Sequence, residues 1–450
     1  MLRNFLKLSG ILLTVTLVFS GAAFADADEV TQLKDQIKSL NDKIAQLERR
    51  TSTMEGHVAA SPGKEQVTHV IPSGEVVEGG LIHTMQDIHM AGFIDTQWNN
   101  NFRQPKGVVG TNTFRTFDTD DGSFTVNAVE LDFSKEANPE GGAGFRTDIM
   151  MGEDAEVIDG ATFGSDADEF AIQQAYIEAV APLKFWEGNT ALPSSVKVQV
   201  GRFVTLAGAE VIESKDNWNI SRSLGFQLGE PLTHTGIRTN FKLLNEKLDT
   251  YLGINNGWDN VVDNNSYKTL EVGAGYSPLE HVSLFHSLYW GPENANQNSH
   301  RRFLSSNVVK WDVTDKLALM YNFDFGSQRR VPDSATTDGR QNAQWYENAI
   351  YARYQVTEKF AMAYRFEIFI DQDVFRTAGV PIAGFGSDRT WEQTITAEYE
   401  IYDNLIGRLE FRFDKSNDDD PFAFEATQTN LRGGEDSQAT LGAQLLYSFA

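Results

Sequence analysis

The 450-residue chain contains no cysteine, which excludes a disulfide framework, a thiolate metal centre and a cysteine nucleophile. Basic residues are in deficit: 38 Lys and Arg stand against 63 Asp and Glu, a formal net charge of -25. That balance argues against a nucleic-acid partner. After residue 25 no stretch approaches the ~18 consecutive apolar residues that a spanning helix needs. If the remainder enters a membrane, it must do so as a closed barrel of strands. What is plentiful is glycine, 37 residues, and phenylalanine, 30 residues, a mixture suited to many strands and tight turns.

The N-terminus reads as an export signal. "MLRNFLKLSGILLTVTLVFSGAAFA" carries Arg3 and Lys7, then an apolar core from Ile11 to Phe19, and closes on Ala23-Phe24-Ala25, the small-x-small pattern of a signal-peptidase site. Removal of residues 1–25 takes away those two positive charges and no acids, so the formal charge moves from -25 to -27. Residues 28–54 follow with Val30, Leu33, Ile37, Leu40, Ile44, Leu47, Thr51 and Met54 spaced alternately three and four apart. That heptad seam, flanked by Lys34, Lys43, Glu48 and Arg50, predicts a short self-associating α-helical coiled coil, with residue choices that lean toward two strands. Residues 55–87, with "ASPGKEQ" and "IPSGEVVEGG", read as a linker.

From residue 88 to 450 the period is two. In "KFAMAYRFEIFID" Phe360, Met362, Tyr364, Phe366, Ile368 and Ile370 oppose Arg365, Glu367 and Asp371; in "NLIGRLEFRFD" Leu405, Leu409, Phe411 and Phe413 oppose Arg408, Glu410, Arg412 and Asp414. A soluble sandwich also alternates, with its apolar face on a core. Here charged faces recur along most of the chain and no helical segments are available to cover the apolar ones. An apolar exterior in lipid around a polar, watery lumen fits better.

Turns supply a second signal. Short connections recur at 244–248, 277–281, 313–317, 356–360 and 401–405, with less compact ones at 137–142 and 182–195, and longer polar segments lie between them. Short turns at one end and long loops at the other are the outer-membrane barrel pattern. Seven turns join fourteen strands, and a first strand near 88–99 with a last near 437–449 makes about sixteen, all antiparallel. Trp311, Tyr354, Tyr399 and Tyr402 lie beside short turns, while Trp98, Trp290, Trp345 and Trp391 lie near long loops. Their placement predicts an aromatic girdle at each membrane interface.

One loop stands out. Val204–Thr233, which contains "AGAEVIESKDNWNISRS", is about thirty residues long, polar and third among the long connections. Loops beyond about 12–15 residues are usually functional or disordered. The blocks "VQVGRFVTLAGAEVIESKDNWNISRSLGF", "PLTHTGIR", "INNGWD", "DNNSYKTLEVGAGYSPLEHVSL" and "YWGPE" resemble the outer-membrane beta-barrel porin-2 family, over roughly 88–450 and most strongly over 198–293. The resemblance implies a channel for ions and small hydrophilic solutes in the outer membrane of a Gram-negative-type bacterium. It also implies a third loop folded into the barrel, and a homo-oligomer, favouring a trimer. Outer-membrane lipid and lipopolysaccharide are the implied surroundings.

The expected pore chemistry follows from parity. The loop contributes Glu210, Glu213, Lys215, Asp216 and Arg222 as the constriction. The wall contributes inward Arg146, Arg238, Arg353, Arg365, Arg408 and Arg412, offset by Glu130, Asp132, Asp148, Glu178, Glu367, Glu398 and Glu400. Acids facing guanidinium groups across a narrow watery gap would set a transverse field, and the acids on the wall predict mild cation preference. No catalytic residue comes with the resemblance, and no cofactor or metal is expected: "DTDDG" and "NDDDP" read as solvated acidic loops in preference to Ca²⁺ sites. Two other functions fit the pattern less well. One is a structural or adhesive barrel tethered toward the cell wall by its coiled coil. The other is an outer-membrane enzyme, for which His286 on an outward face has no assignable partner.

Overall fold

The computed structural model describes residues 88–107, 112–163, 168–184, 189, 191–330, 342–377, 386–418, 422–427 and 430–450. The expected export signal, coiled coil and linker lie outside these residues. The strands are β1 (His89–Asn101), β2 (Lys106–Gly107), β3 (Phe124–Lys135), β4 (Gly142–Met151), β5 (Phe170–Pro182), β6 (Ser195–Val204), β7 (Thr233–Leu243), β8 (Leu248–Asn255), β9 (Thr269–Leu279) and β10 (Val282–Pro292). They continue as β11 (Arg301–Asp312), β12 (Leu317–Gln328), β13 (Ala343–Gln355), β14 (Phe360–Asp371), β15 (Arg389–Tyr402), β16 (Leu405–Ser416), β17 (Phe422–Thr427), β18 (Asn430–Glu435) and β19 (Ser437–Phe449). Sixteen of them, all but β2, β17 and β18, form one closed antiparallel barrel, sealed where Gly92–Asn101 of β1 pairs with Thr440–Phe449 of β19. The three short strands form a separate small sheet at the loop end.

All seven connections expected to be short fall where the sequence places them, for example between Leu243 and Leu248 and between Gln355 and Phe360. The alternation has the polarity of a barrel in lipid. On β14 the buried residues are Ala361, Ala363, Arg365, Glu367, Phe369 and Asp371, and on β16 they are Arg408, Glu410, Arg412, Asp414 and Ser416. The opposite faces carry Tyr364, Leu409 and Phe411, at 40%, 60% and 43% exposure. Charge inside and exposed apolar side chains outside invert the soluble pattern, and each of the sixteen strands is hydrogen-bonded to a neighbour on both sides, so the closed barrel leaves no free sheet edge.

The lumen is not lined by polar groups alone. Phe93, Ala128, Met150 and Ala171 of the wall pack with Ile212, Phe226 and Leu232 of the third loop and with Ala155 and Ile158 of α1 (Glu153–Phe163), which lies between β4 and β5. A second cluster joins Tyr289, Leu304, Trp345 and Phe369 of the wall to Ala207, Leu224 and Leu228 of the same loop. One girdle assignment is corrected here. Trp345 is wholly buried on the inner face, edge-on to Trp258, because it shares parity with Glu347 and Ala349 rather than with Tyr346 and Ile350. The outward girdle residues include Trp290, Trp311, Tyr354, Tyr399 and Tyr402, all well exposed.

Candidate functional site

The segment between β6 and β7, residues 205–232, closes at its neck where Thr205 N donates to Leu232 O at 3.0 Å. Asp259 holds the returning arm by accepting from the backbone N–H groups of Leu232 and Thr233, both at 2.8 Å. Tyr289 of β10 holds the outgoing arm, with Leu206 N donating to its hydroxyl at 2.8 Å. A short 3-10 turn at Ser214–Asp216 and a π-turn at Gly225–Gly229 shape the rest. So long a polar segment stays compact because its backbone groups find partners, as burial demands.

Those partners come from the barrel wall. Glu410 of β16 accepts from Ile220 N at 2.6 Å and Ser221 N at 2.9 Å, and Glu367 of β14 accepts from Leu224 N and Gly225 N, both at 2.7 Å. Arg412 donates to Arg222 O at 2.5 Å, Arg408 to Ser214 O at 3.0 Å and Arg365 to Ser221 O at 2.7 Å. On β13, Trp345 Nε1 donates to Gly229 O at 3.0 Å; on β11, Ser306 Oγ accepts from Gly208 N at 2.9 Å. On the far side, Gln173 of β5 donates to Glu213 at 2.5 Å. The one segment is thus bonded to β5, β10, β11, β13, β14 and β16.

The loop residues singled out by sequence divide into four groups. Glu210 is buried; it pairs with Arg365 at 2.7 Å and accepts from Ser223 N at 2.6 Å. Here the expected field across a gap is corrected: Glu210 and Arg365 are in contact, so water does not separate them. Arg222 is 1% exposed and turned into the loop, donating to Ile220 O and Ile212 O and lying over the Phe117 ring. It staples the loop to itself. Lys215 and Asp216 pair with each other and keep 29% and 55% side-chain exposure, so theirs is the charge that still meets water. Glu213 sits half-buried against Gln173.

The wall residues are for the most part compensated in pairs. Arg238 is bidentate to Glu271 at 2.6 and 2.9 Å, Arg146 meets Asp148 at 2.8 Å, and Arg353 and Arg408 share Glu398. Arg365 also meets Glu392 at 2.6 Å, and Arg412 meets Asp414 at 2.8 Å. Glu178 is bridged by Lys197 at 3.3 Å. Asp132 stands directly opposite Asp148 in the ladder, and Glu130, fully buried opposite Phe93, accepts no hydrogen bond from the described residues. Towards the turns, Arg146 and Arg353 keep 38% and 31% exposure. Outside the barrel, His286 contacts Asn307 at 2.9 Å, an amide and not a hydroxyl nucleophile.

Glu230, Asp324, Glu347, Glu392 and Glu410 are not among the expected pore residues, although parity sets Asp324 and Glu410 on the polar face of their strands and all five are buried at the loop–wall contact. The signal was available in the strand residues: each acid occupies the inner parity of its strand, beside arginines or other acids. Glu230, in the loop itself, had no period to reveal it. Burial, and after it the carboxylates of Asp324 and Glu347, pushes the Glu230 carboxyl well above the ordinary range.

A family model described as "Putative beta-barrel porin-2, OmpL-like" matches residues 87–449. Among solved structures, the outer membrane channel DcaP of Acinetobacter baumannii aligns with a TM-score of 0.52 at 12% identity, over 80% of this chain and 97% of that one. An anion-selective porin from Comamonas acidovorans aligns with a TM-score of 0.51 at 11% identity, over 80% and 99%. At such identities the likeness is one of fold. No curated protein matches the chain in sequence.

Proposed function

The chain belongs to the beta-barrel porin-2 family, and from that membership we propose that it is a passive channel of the outer membrane for ions and small hydrophilic solutes. In this reading the lumen is narrowed by loop 205–232 and mildly prefers cations. The observation that carries it is the set of bonds from that loop to the inner wall, from Gln173 on β5 to Arg412 on β16. A loop held so takes up cross-section that would otherwise conduct. The charge balance supports cation preference: the arginines at the contact are matched by acids, while Glu367 and Glu410 form no ion pair with a described residue. Fixed negative charge in a narrow lumen concentrates cations. Homo-oligomerisation belongs to the same reading, a trimer on the family resemblance, with the heptad seam of 28–54 as a self-association element.

The test is single-channel current in a planar bilayer under a KCl gradient. Stepwise conductance with a reversal potential on the cation side is expected, and shortening 207–223 is expected to enlarge each step several-fold. Insertion without current would overturn the channel, and unchanged steps in the shortened protein would overturn the loop as its narrowing.

A further inference from the structure

On the inner wall beside the loop's returning arm, three carboxylates meet without a counter-charge. Asp324 of β12 and Glu347 of β13 are direct partners in the ladder, and like charges placed so destabilise a sheet. Glu230 joins them from the loop, and the three side chains bring one oxygen each within 4.8 Å of the others. Their exposures are 4% for Glu230, 0% for Asp324 and 1% for Glu347. Both oxygens of Asp324, Oε2 of Glu230 and Oε1 of Glu347 accept no hydrogen bond from the described residues. Among the described residues, no lysine, arginine or histidine forms an ion pair with any of the three.

A neutral group also points to a missing ligand. Asn322, 1% exposed, donates through Nδ2 to Glu347 Oε2 at 2.9 Å and to Glu230 Oε1 at 3.5 Å, while its own Oδ1 has no partner among the described residues. The two ends of a carboxamide exchange by a half-turn, which would present Oδ1 to the cluster as one more oxygen donor. The loop backbone is also moulded around the acids. A Cβ on Gly225 would stand 1.8 Å from Glu347 Oε2, and one on Gly208 2.0 Å from Glu230 Oε2. Side chains at those two positions are incompatible with the carboxylates where they stand.

We propose that Glu230, Asp324 and Glu347, with Asn322, bind a hard divalent cation of the calcium type, which clamps the returning arm of loop 205–232 to β12 and β13. Buried carboxylates short of donors and counter-charge are costly, and a cation relieves all three together. An all-oxygen donor set selects Ca²⁺ or Mg²⁺ over softer metals. Three carboxylates able to bind through both oxygens favour Ca²⁺, because Mg²⁺ keeps its waters and a strict octahedron. The clamp does not depend on whether the barrel conducts.

The experiment uses full-length protein in detergent, stripped with EDTA and titrated with Tb³⁺ under tryptophan excitation. Trp345 is the natural antenna: it lies two residues from Glu347, and its indole donates to the carbonyl next to Glu230. Saturable sensitised emission is expected, displaced by Ca²⁺ at lower concentration than by Mg²⁺ and lost in both Asp324→Asn and Glu347→Gln. Added Ca²⁺ should raise the melting temperature of the parent protein and leave that of the two variants unmoved. Both variants remove a buried charge with little change of shape, and their strand content is checked by circular dichroism. Emission that survives in the folded variants would put the ion elsewhere, for example on the exposed acidic loops. A stripped protein that takes up no Tb³⁺ and melts identically with and without Ca²⁺ would show the trio to be held by protons. Either result overturns the proposal.

Discussion

Two neighbouring patches of inner wall carry the same loop by opposite means. On β14–β16 every buried acid at the contact is answered. Arg365 lies between Glu392 and Glu210, Arg412 reaches Asp414, and Glu367 and Glu410 each take two backbone N–H groups of the loop. One strand further round, on β12–β13, Asp324 and Glu347 meet Glu230 with four carboxylate oxygens unanswered. Burial alone therefore does not make a carboxylate costly in this barrel; lack of donors does. The first patch is complete with protein atoms, whereas the second needs a proton or an ion from outside.

The sharpest way to break the comparison is to make the first patch resemble the second. Arg365→Met leaves Glu210 and Glu392 buried without their shared cation, and removing one partner of such a pair costs about 3–5 kcal/mol. The denaturation midpoint should fall, and single-channel steps should become larger and noisier as the loop loosens. Adding Glu210→Gln to that variant should restore part of the loss. Additive losses in the double-mutant cycle would show that Glu210 and Arg365 are not coupled.

Glu410→Gln tests the uncharged half of the same patch. The carboxylate accepts from Ile220 N, Ser221 N and the Thr396 hydroxyl. An amide offers one acceptor oxygen and turns an NH₂ toward a donor, so about 1.5–3 kcal/mol should go, the worth of hydrogen bonds to a charged group. The melting temperature measures it, and a variant as stable as the parent would mean that the loop does not depend on these bonds. The contrast with Asp324→Asn is the useful part: the same acid-to-amide change should be costly at Glu410 in any medium and at Asp324 only when Ca²⁺ is present.

How much of this was legible in the sequence depends on the range of each interaction. Strand faces, the seven turns and the ordinal place of the third loop follow from neighbours a few residues apart, and period two records them. The bonds that hold the loop do not: Glu210 and Arg365 are 155 positions apart, and Ile220 and Glu410 are 190 apart. Nothing local in a polar loop tells an acid that will be buried, such as Glu210, from one that stays wet, such as Asp216. Arg222 looks like a solvated loop charge, yet it is enclosed because Ile212 O and Ile220 O capture its guanidinium. Trp345 is a different case. Its parity with Glu347 was readable, and nearness to a long loop was the weaker guide.

The smallest effect is expected where the loop still faces water. Lys215 and Asp216 pair with each other, and the Asp216 carboxylate makes no bond to a described residue of the wall. An exposed ion pair contributes little to stability, but a fixed charge beside a narrow aqueous path acts on passing ions through its field. Asp216→Lys should therefore leave the melting temperature and the step conductance near those of the parent and move the reversal potential toward anions. The same measurement on Glu210→Gln should move it less, because that carboxylate is already neutralised by Arg365. If Glu210→Gln shifts selectivity as far as Asp216→Lys does, the compensated patch is not electrically silent, and the distinction between answered and unanswered charge fails for permeating ions even where it holds for stability.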